Sequence, residues 1–121
     1  MSRILIADDE EPLRLLVGRA ISMDGHEIVT AEDGAEALEI LTEQQGRFDL
    51  LLTDIKMPIM DGIALALAAA RDFPDLTILL MTGYADQRER ADDLMQKIVD
   101  VVEKPFALPE IRSAVARALA G

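Results

Sequence analysis

Three stretches of the chain, Ile4-Leu5-Ile6-Ala7, Asp49-Leu50-Leu51-Leu52-Thr53 and Thr77-Ile78-Leu79-Leu80-Met81, are nearly unbroken aliphatic runs. A strand with one wet face alternates apolar and polar residues, whereas a strand covered on both faces does not. These runs therefore read as central strands of a sheet with helices on both sides. Two more mixed runs, Glu27–Thr30 and Ile98–Val102, suit the edges, and the full strand set is Arg3–Ala7, Glu27–Thr30, Phe48–Thr53, Thr77–Met81 and Ile98–Val102.

Between the runs the spacing turns helical. Leu13, Leu16, Val17, Ala20 and Ile21 form one apolar stripe, repeated by Ala37, Leu38 and Leu41 and by Leu108, Ile111, Val115 and Leu119. Gly62–Asp72 is rich in Ala and Leu and is stopped by Pro74, while the segment from Asp86 to about Lys97 is more polar. Strand and helix alternate five times, which predicts an α/β, (βα)5 doubly wound parallel sheet. No linker or repeat interrupts the pattern, so residues 1–121 are expected to be one domain with no output domain.

Composition narrows the chemistry. There is no cysteine, which removes disulfides, thiolate metal sites and cysteine nucleophiles. Aromatics are only 3%, so the core must be aliphatic. The net charge is −11, from 23 acidic and 12 basic residues, the wrong sign for neutralising nucleic-acid phosphates. Acidic residues appear by Asp8, too early for a signal peptide, and no apolar run approaches the roughly 20 residues that span a bilayer. A soluble cytoplasmic protein with no nucleic-acid or membrane partner is expected.

In open parallel sheets ligands bind beyond the carboxyl ends of the strands. Those ends carry Asp8-Asp9-Glu10 after the first run, Asp54 after the third, Thr82-Gly83 after the fourth and Lys104-Pro105 after the fifth. Crowded carboxylates raise one another's pKa, and a hard divalent cation with oxygen ligands, Mg²⁺ above all, relieves the conflict. Next to such a cation Asp54 can attack phosphorus, Lys104 can pair with phosphoryl oxygens and Thr82 can donate a hydroxyl hydrogen bond. The plainer alternative is that Asp9 or Glu10 merely caps the following helix. Capping does not explain why four strand ends carry complementary groups.

These residues, in the segments ILIADDEEPLR, LLLTDIKMPIMDGI, ILLMTGYAD and VVEKPF, resemble the receiver domains of two-component response regulators along essentially the whole chain. The resemblance implies a flavodoxin-like (CheY-like) fold with strand order 2-1-3-4-5. It implies Asp54 as phosphoacceptor, with Thr82 as switch hydroxyl and Lys104 as phosphate-binding lysine. For Mg²⁺ it implies direct ligation by Asp9, Asp54 and the Lys56 carbonyl, with Asp8 acting through water, and it implies a cis Lys104–Pro105 bond. The phospho-donor would be a histidine kinase or histidine phosphotransfer protein docking near Leu13, Leu16, Pro105 and Phe106. Output to a downstream protein would leave by the face of the fourth and final helical stretches and the fifth run, from a monomer or a phosphorylation-dependent dimer. No catalysis is implied beyond the protein's own phosphotransfer and autodephosphorylation. TGYADQRERA is similar to the CpdR-like regulators of alphaproteobacteria, which link phosphorylation to regulated proteolysis.

One position departs from the pattern. Many receivers carry Tyr or Phe three residues before the lysine as a rotating reporter, and here Val101 stands there. Tyr84 either lines the mouth of the site or packs as a surface loop aromatic. Lys56 and Tyr84 flank the acceptor where the family tunes phosphoryl hydrolysis. Met57-Pro58-Ile59-Met60-Asp61-Gly62 reads as a shaped turn that positions Asp54 and Lys56. Met57, Met60 and Met81 read as core filler, and His26 as a surface residue far from the acidic edge.

Three rivals share parts of this pattern. A haloacid-dehalogenase phosphatase needs a second Asp two residues after its nucleophile, where this chain has Lys56. A flavodoxin offers hydroxyls and amides to phosphate after its first strand, where this chain has Asp8-Asp9-Glu10. A degenerate receiver acting as a scaffold has no need of the complete set Asp8, Asp9, Asp54, Thr82 and Lys104.

Overall fold

The computed structural model describes residues 2–83 and 100–120. Tyr84, the polar helical stretch after it and the Ile98-Val99 start of the fifth run lie outside the described residues. The elements are β1 (Arg3–Ala7), α1 (Glu11–Ser22), β2 (Glu27–Ala31), α2 (Gly34–Glu43), β3 (Leu50–Asp54), α3 (Gly62–Asp72), β4 (Thr77–Thr82), β5 (Asp100–Glu103) and α4 (Leu108–Ala120). All five strands are parallel, in the order β2-β1-β3-β4-β5.

The central runs behave as their composition requires. Ile4–Ala7 of β1, all of β3 and Ile78–Thr82 of β4 are buried, while the edge strands β2 and β5 are only partly covered. Successive strand residues point to opposite faces. Leu5, Leu51, Ile78 and Leu80 therefore pack with Ala37, Leu41, Leu65 and Ala66 of α2 and α3. Ile4, Ile6, Leu50, Leu52, Leu79 and Met81 pack with Val17, Ile21, Ile111 and Val115 of α1 and α4. Met57 and Met81 are buried, and Met60 packs on the core from the side, as filler should.

Two expectations shift on detail. Leu16 is not in the core stripe: it is 48% exposed, and Val17, Ala20 and Ile21 carry the buried face of α1. The third strand starts at Leu50, not Phe48. The Phe48 N–H bonds back to the Gly46 carbonyl at 2.7 Å, and Asp49 clasps the start of β1 through both its backbone N–H and its carboxylate. Phe48 is thus held by a local bond and Asp49 by the start of β1, ahead of the regular strand.

Register places the site. Ala7 pairs with Thr53, Asp54 with Met81, and Thr82 with Glu103. The residues that follow or end these strands, Asp8, Asp54, Thr82 and Lys104, thus emerge along one edge of the sheet. His26 precedes β2, whose Glu27 pairs with Arg3, so it lies at the opposite edge, where its Nδ1 accepts the Ser2 N–H.

Candidate functional site

Asp54 is 4% exposed and Asp8 is fully buried, so two carboxylates have been drawn out of water at the carboxyl edge. Lys104 faces both: its Nζ lies 3.2 Å from Asp54 Oδ2 and 3.4 Å from Asp8 Oδ2. It also lies 3.5 Å from Oε1 of Glu10. The cis Lys104–Pro105 bond is present, and the Lys104 N–H donates to the Thr82 carbonyl at 2.7 Å, tying the ends of β4 and β5 together. Thr82 is buried beside them.

The other oxygens of the two buried carboxylates are held by backbone. Asp54 Oδ1 accepts the Ile55 N–H at 2.9 Å, and Asp8 Oδ1 accepts the Glu10 N–H at 2.9 Å. Burial dominates their ionisation. It pushes Asp54 up to about 6, with Lys104 opposing and the Asp8 charge adding to the rise. It raises Asp8 as well, against the Glu10 N–H and Lys104. For Lys104 burial disfavours the charge, but Asp54, Asp8 and Glu10 together outweigh it and hold the ammonium above its ordinary value.

The loop after β3 is strapped in place. The Gly62 N–H donates to the Ile55 carbonyl at 2.7 Å, and a Cβ at residue 62 would sit 2.0 Å from the Asp54 carbonyl oxygen, so only glycine permits this approach. Gly34 meets the same loop, its N–H 3.1 Å from the Met60 carbonyl. At the tip the Met60 N–H returns to the Pro58 carbonyl at 2.7 Å across Ile59, whose φ of 70° is the left-handed region that a β-branched residue avoids. Asp61 then caps α3 by accepting the Ala64 N–H. The shaped turn read from Met57–Gly62 is present, and its Gly62 end returns to the backbone beside Asp54.

One oxygen from each of Asp8, Asp9, Glu10 and Asp54 lies within 4.8 Å of all the others. All four are hard oxygen donors gathered in one place. The donor set therefore fits a divalent cation such as Mg²⁺. Asp9 and Lys56 are exposed and line the same cleft of about 630 Å³, together with Asp54, Lys104, Pro105 and Phe106. Val101 is buried opposite Leu80 in the layer under α2 and α3.

Two residues do more than their sequence positions suggest. Glu10 holds the cap position of α1, yet its side chain makes no cap hydrogen bond and reaches Lys104 instead. Arg14, which sequence reasoning missed, is buried on α1 and donates from Nη1 to the Asp8 carbonyl at 2.7 Å. The signal for Arg14 was present as a lone basic residue within Leu13-Arg14-Leu15-Leu16-Val17, but an arginine there also reads as a solvated helix face.

Comparison with known proteins agrees with this geometry. The model of the response regulator receiver domain matches residues 4–116, and the chain belongs to that family. Such domains are phosphoacceptor switches of two-component signalling. The chain is 38% identical over 119 residues to the response regulator receiver protein CpdR of Brucella abortus (strain 2308), covering 98% of each protein. It is 34% identical to the DNA-binding transcriptional regulator NtrC of Escherichia coli (strain K12), covering 96% of this chain but 24% of that one. Among solved structures it resembles the response regulator TrrA from Thermotoga maritima in complex with Mg²⁺ and BeF, with TM-score 0.84 and 34% identity over 98% and 99% of the two chains.

Proposed function

We propose that Asp54 is the phosphoacceptor of an Mg²⁺-dependent receiver switch. The observation that carries this reading is a buried carboxylate 3.2 Å from a lysine at the carboxyl edge, beside the acidic pair Asp8-Asp9. An Asp54 carboxylate oxygen forms a bond to phosphorus, the P–N bond of a phosphohistidine breaks, and the imidazole leaves with the electron pair and takes up a proton. Lys104 pairs with the phosphoryl oxygens, and Thr82 donates its hydroxyl to them once the phosphoryl group is in place. Asp9, Asp54 and the Lys56 carbonyl would hold Mg²⁺ directly, and Asp8, whose Oδ1 is already taken by backbone, would act through water. When bound, Mg²⁺ neutralises charge on the transferring group.

The donor is a histidine kinase or histidine phosphotransfer protein, seated over Leu13, Leu16, Pro105 and Phe106 at the rim of the cleft. The output is a change in binding to a downstream protein in the cytoplasm, with turnover limited to the protein's own phosphotransfer and autodephosphorylation. Regulated proteolysis is the output to test first, because of the similarity to CpdR-like regulators. Residues 1–121 act as one receiver unit in this scheme.

The test is exposure of wild type and Asp54→Ala to acetyl phosphate with Mg²⁺, read by intact mass, and to beryllofluoride, read by NMR. Wild type should gain one phosphoryl mass only with Mg²⁺, and the variant none. An unmodified wild type, or modification that survives in Asp54→Ala, refutes the assignment.

A further inference from the structure

Arginine is seldom buried unless it is paired, because removing its charge from water is costly. Arg14 is 8% exposed, and the partner of its Nη1 is the backbone carbonyl of Asp8, at 2.7 Å. That carbonyl opens the turn carrying Asp8, Asp9 and Glu10. The Arg14 backbone N–H meanwhile closes the first turn of α1 onto the Glu10 carbonyl at 2.9 Å. The turn has a second unusual feature. α2 and α3 start on side-chain caps from Asp33 and Asp61, whereas α1 starts at Glu10 without one.

Asp8 is consequently held at four atoms. Its N–H donates to the Ala31 carbonyl at 3.2 Å, its carbonyl accepts from Arg14, its Oδ1 accepts from Glu10, and its Oδ2 faces Lys104. Of these contacts, the one from Arg14 acts directly on the carbonyl of the peptide between Asp8 and Asp9, which the Asp8 Oδ1 bond to the Glu10 N–H also spans. Without Arg14 that peptide would keep only the weaker of its two restraints, and Asp9 would be less closely held.

We propose that Arg14 is a positioning residue for cation binding, its guanidinium presetting the direction of the Asp8, Asp9 and Glu10 carboxylates. The inference rests on the reading of this cluster as an Mg²⁺ site. Partners that orient metal ligands typically contribute about tenfold to a hundredfold to affinity. A buried guanidinium acting only as a charge would do the opposite and repel the cation.

The test is the Mg²⁺ Kd of the unphosphorylated full chain, from NMR titration of backbone amides, for wild type, Arg14→Met and Arg14→Lys, with thermal melts alongside. Arg14→Met should weaken Mg²⁺ about tenfold or more, and saturating Mg²⁺ should restore its acetyl phosphate reaction to near the wild-type rate. Arg14→Lys keeps the charge and a flexible donor but not the planar fork, and should weaken Mg²⁺ by about two- to fourfold. Either variant therefore decides if the other fails to fold. A folded variant with wild-type or tighter Kd overturns the proposal, as does a lower maximal rate at unchanged Kd. Failure of wild type to bind Mg²⁺ removes the metal reading itself, a result distinct from variants that match a binding wild type.

Discussion

Replacing Asp54 with asparagine should make the protein more stable, although it removes the acceptor. Burial moves the Asp54 carboxyl from the ordinary 3.8 to about 6, even with Lys104 beside it. At about 1.4 kcal/mol per pH unit, the ionised side chain leaves the native state about 3 kcal/mol less stable than a neutral one would. The native protein binds the proton more tightly than the unfolded chain, so wild-type stability falls as pH rises from 3.8 to 6 and is flat above that. The asparagine side chain does not titrate. The advantage of Asp54→Asn should be about 3 kcal/mol at pH 7.5, roughly half that at pH 5 and nearly gone at pH 4. For a chain of this size the first value corresponds to a Tm rise of roughly 10 °C. Urea unfolding and thermal melts in EDTA across these pH values measure it. Millimolar Mg²⁺ should then narrow the gap, because binding stabilises wild type more than the variant. An Asp54→Asn protein no more stable than wild type at pH 7.5 in EDTA, or an advantage that does not shrink toward pH 4, would refute the account of Asp54 as a strained, desolvated charge.

Lys104→Met should raise the Asp54 pKa further above about 6, since Lys104 restrains it more than the Ile55 N–H does; carboxyl ¹³C shifts titrated in EDTA report the value. Ile59→Gly should stabilise the fold by about 1 kcal/mol in urea, because φ of 70° penalises a β-branched residue and the side chain, 85% exposed, has little packing to lose. Gly62→Ala should cost about 2 kcal/mol despite alanine's better helix propensity, and should slow the acetyl phosphate reaction, because its Cβ would press on the Asp54 carbonyl. Leu51→Ala should cost about 2–5 kcal/mol from a fully buried central position, yet leave the Mg²⁺ Kd of the folded protein unchanged.

Unequal stability across the site has a functional sense. Asp54 and Asp8 are charges held out of water, and Ile59 is a residue held in a costly conformation. In the proposed switch, a cation and a phosphoryl group at this edge would change the charge balance that Asp8 and Asp54 share, and so supply the free-energy difference between two states. The rotating aromatic of many receivers has no counterpart at Val101, which is buried in the sheet layer and has no hydroxyl to carry. In the switch proposed above, Thr82 and the tied ends of β4 and β5 are the relay to test.

Much of this protein is determined by order along the chain. Apolar runs such as Leu50-Leu51-Leu52 bury on both faces wherever they lie, because aliphatic side chains are driven from water independently of their neighbours. Strand ends are local too, so Asp8, Asp9, Asp54, Thr82 and Lys104 could be recognised as one edge from topology alone. Tertiary structure decided what depends on distance between segments far apart in sequence. Lys104 meeting Asp8, Asp54 and Glu10 at once is such a case, and so is the rise of Asp54 toward 6. Leu16 shows the same limit from the other side: its spacing fits the apolar stripe, but among the described residues it stays half exposed. Arg14 shows a limit of another kind, because its partner lies only six residues away. Its letter reads as a solvated charge, and only the return of α1 over the end of β1 turns it inward onto the Asp8 carbonyl, since a hydrogen bond needs both partners within about 3 Å and periodicity specifies just one of them.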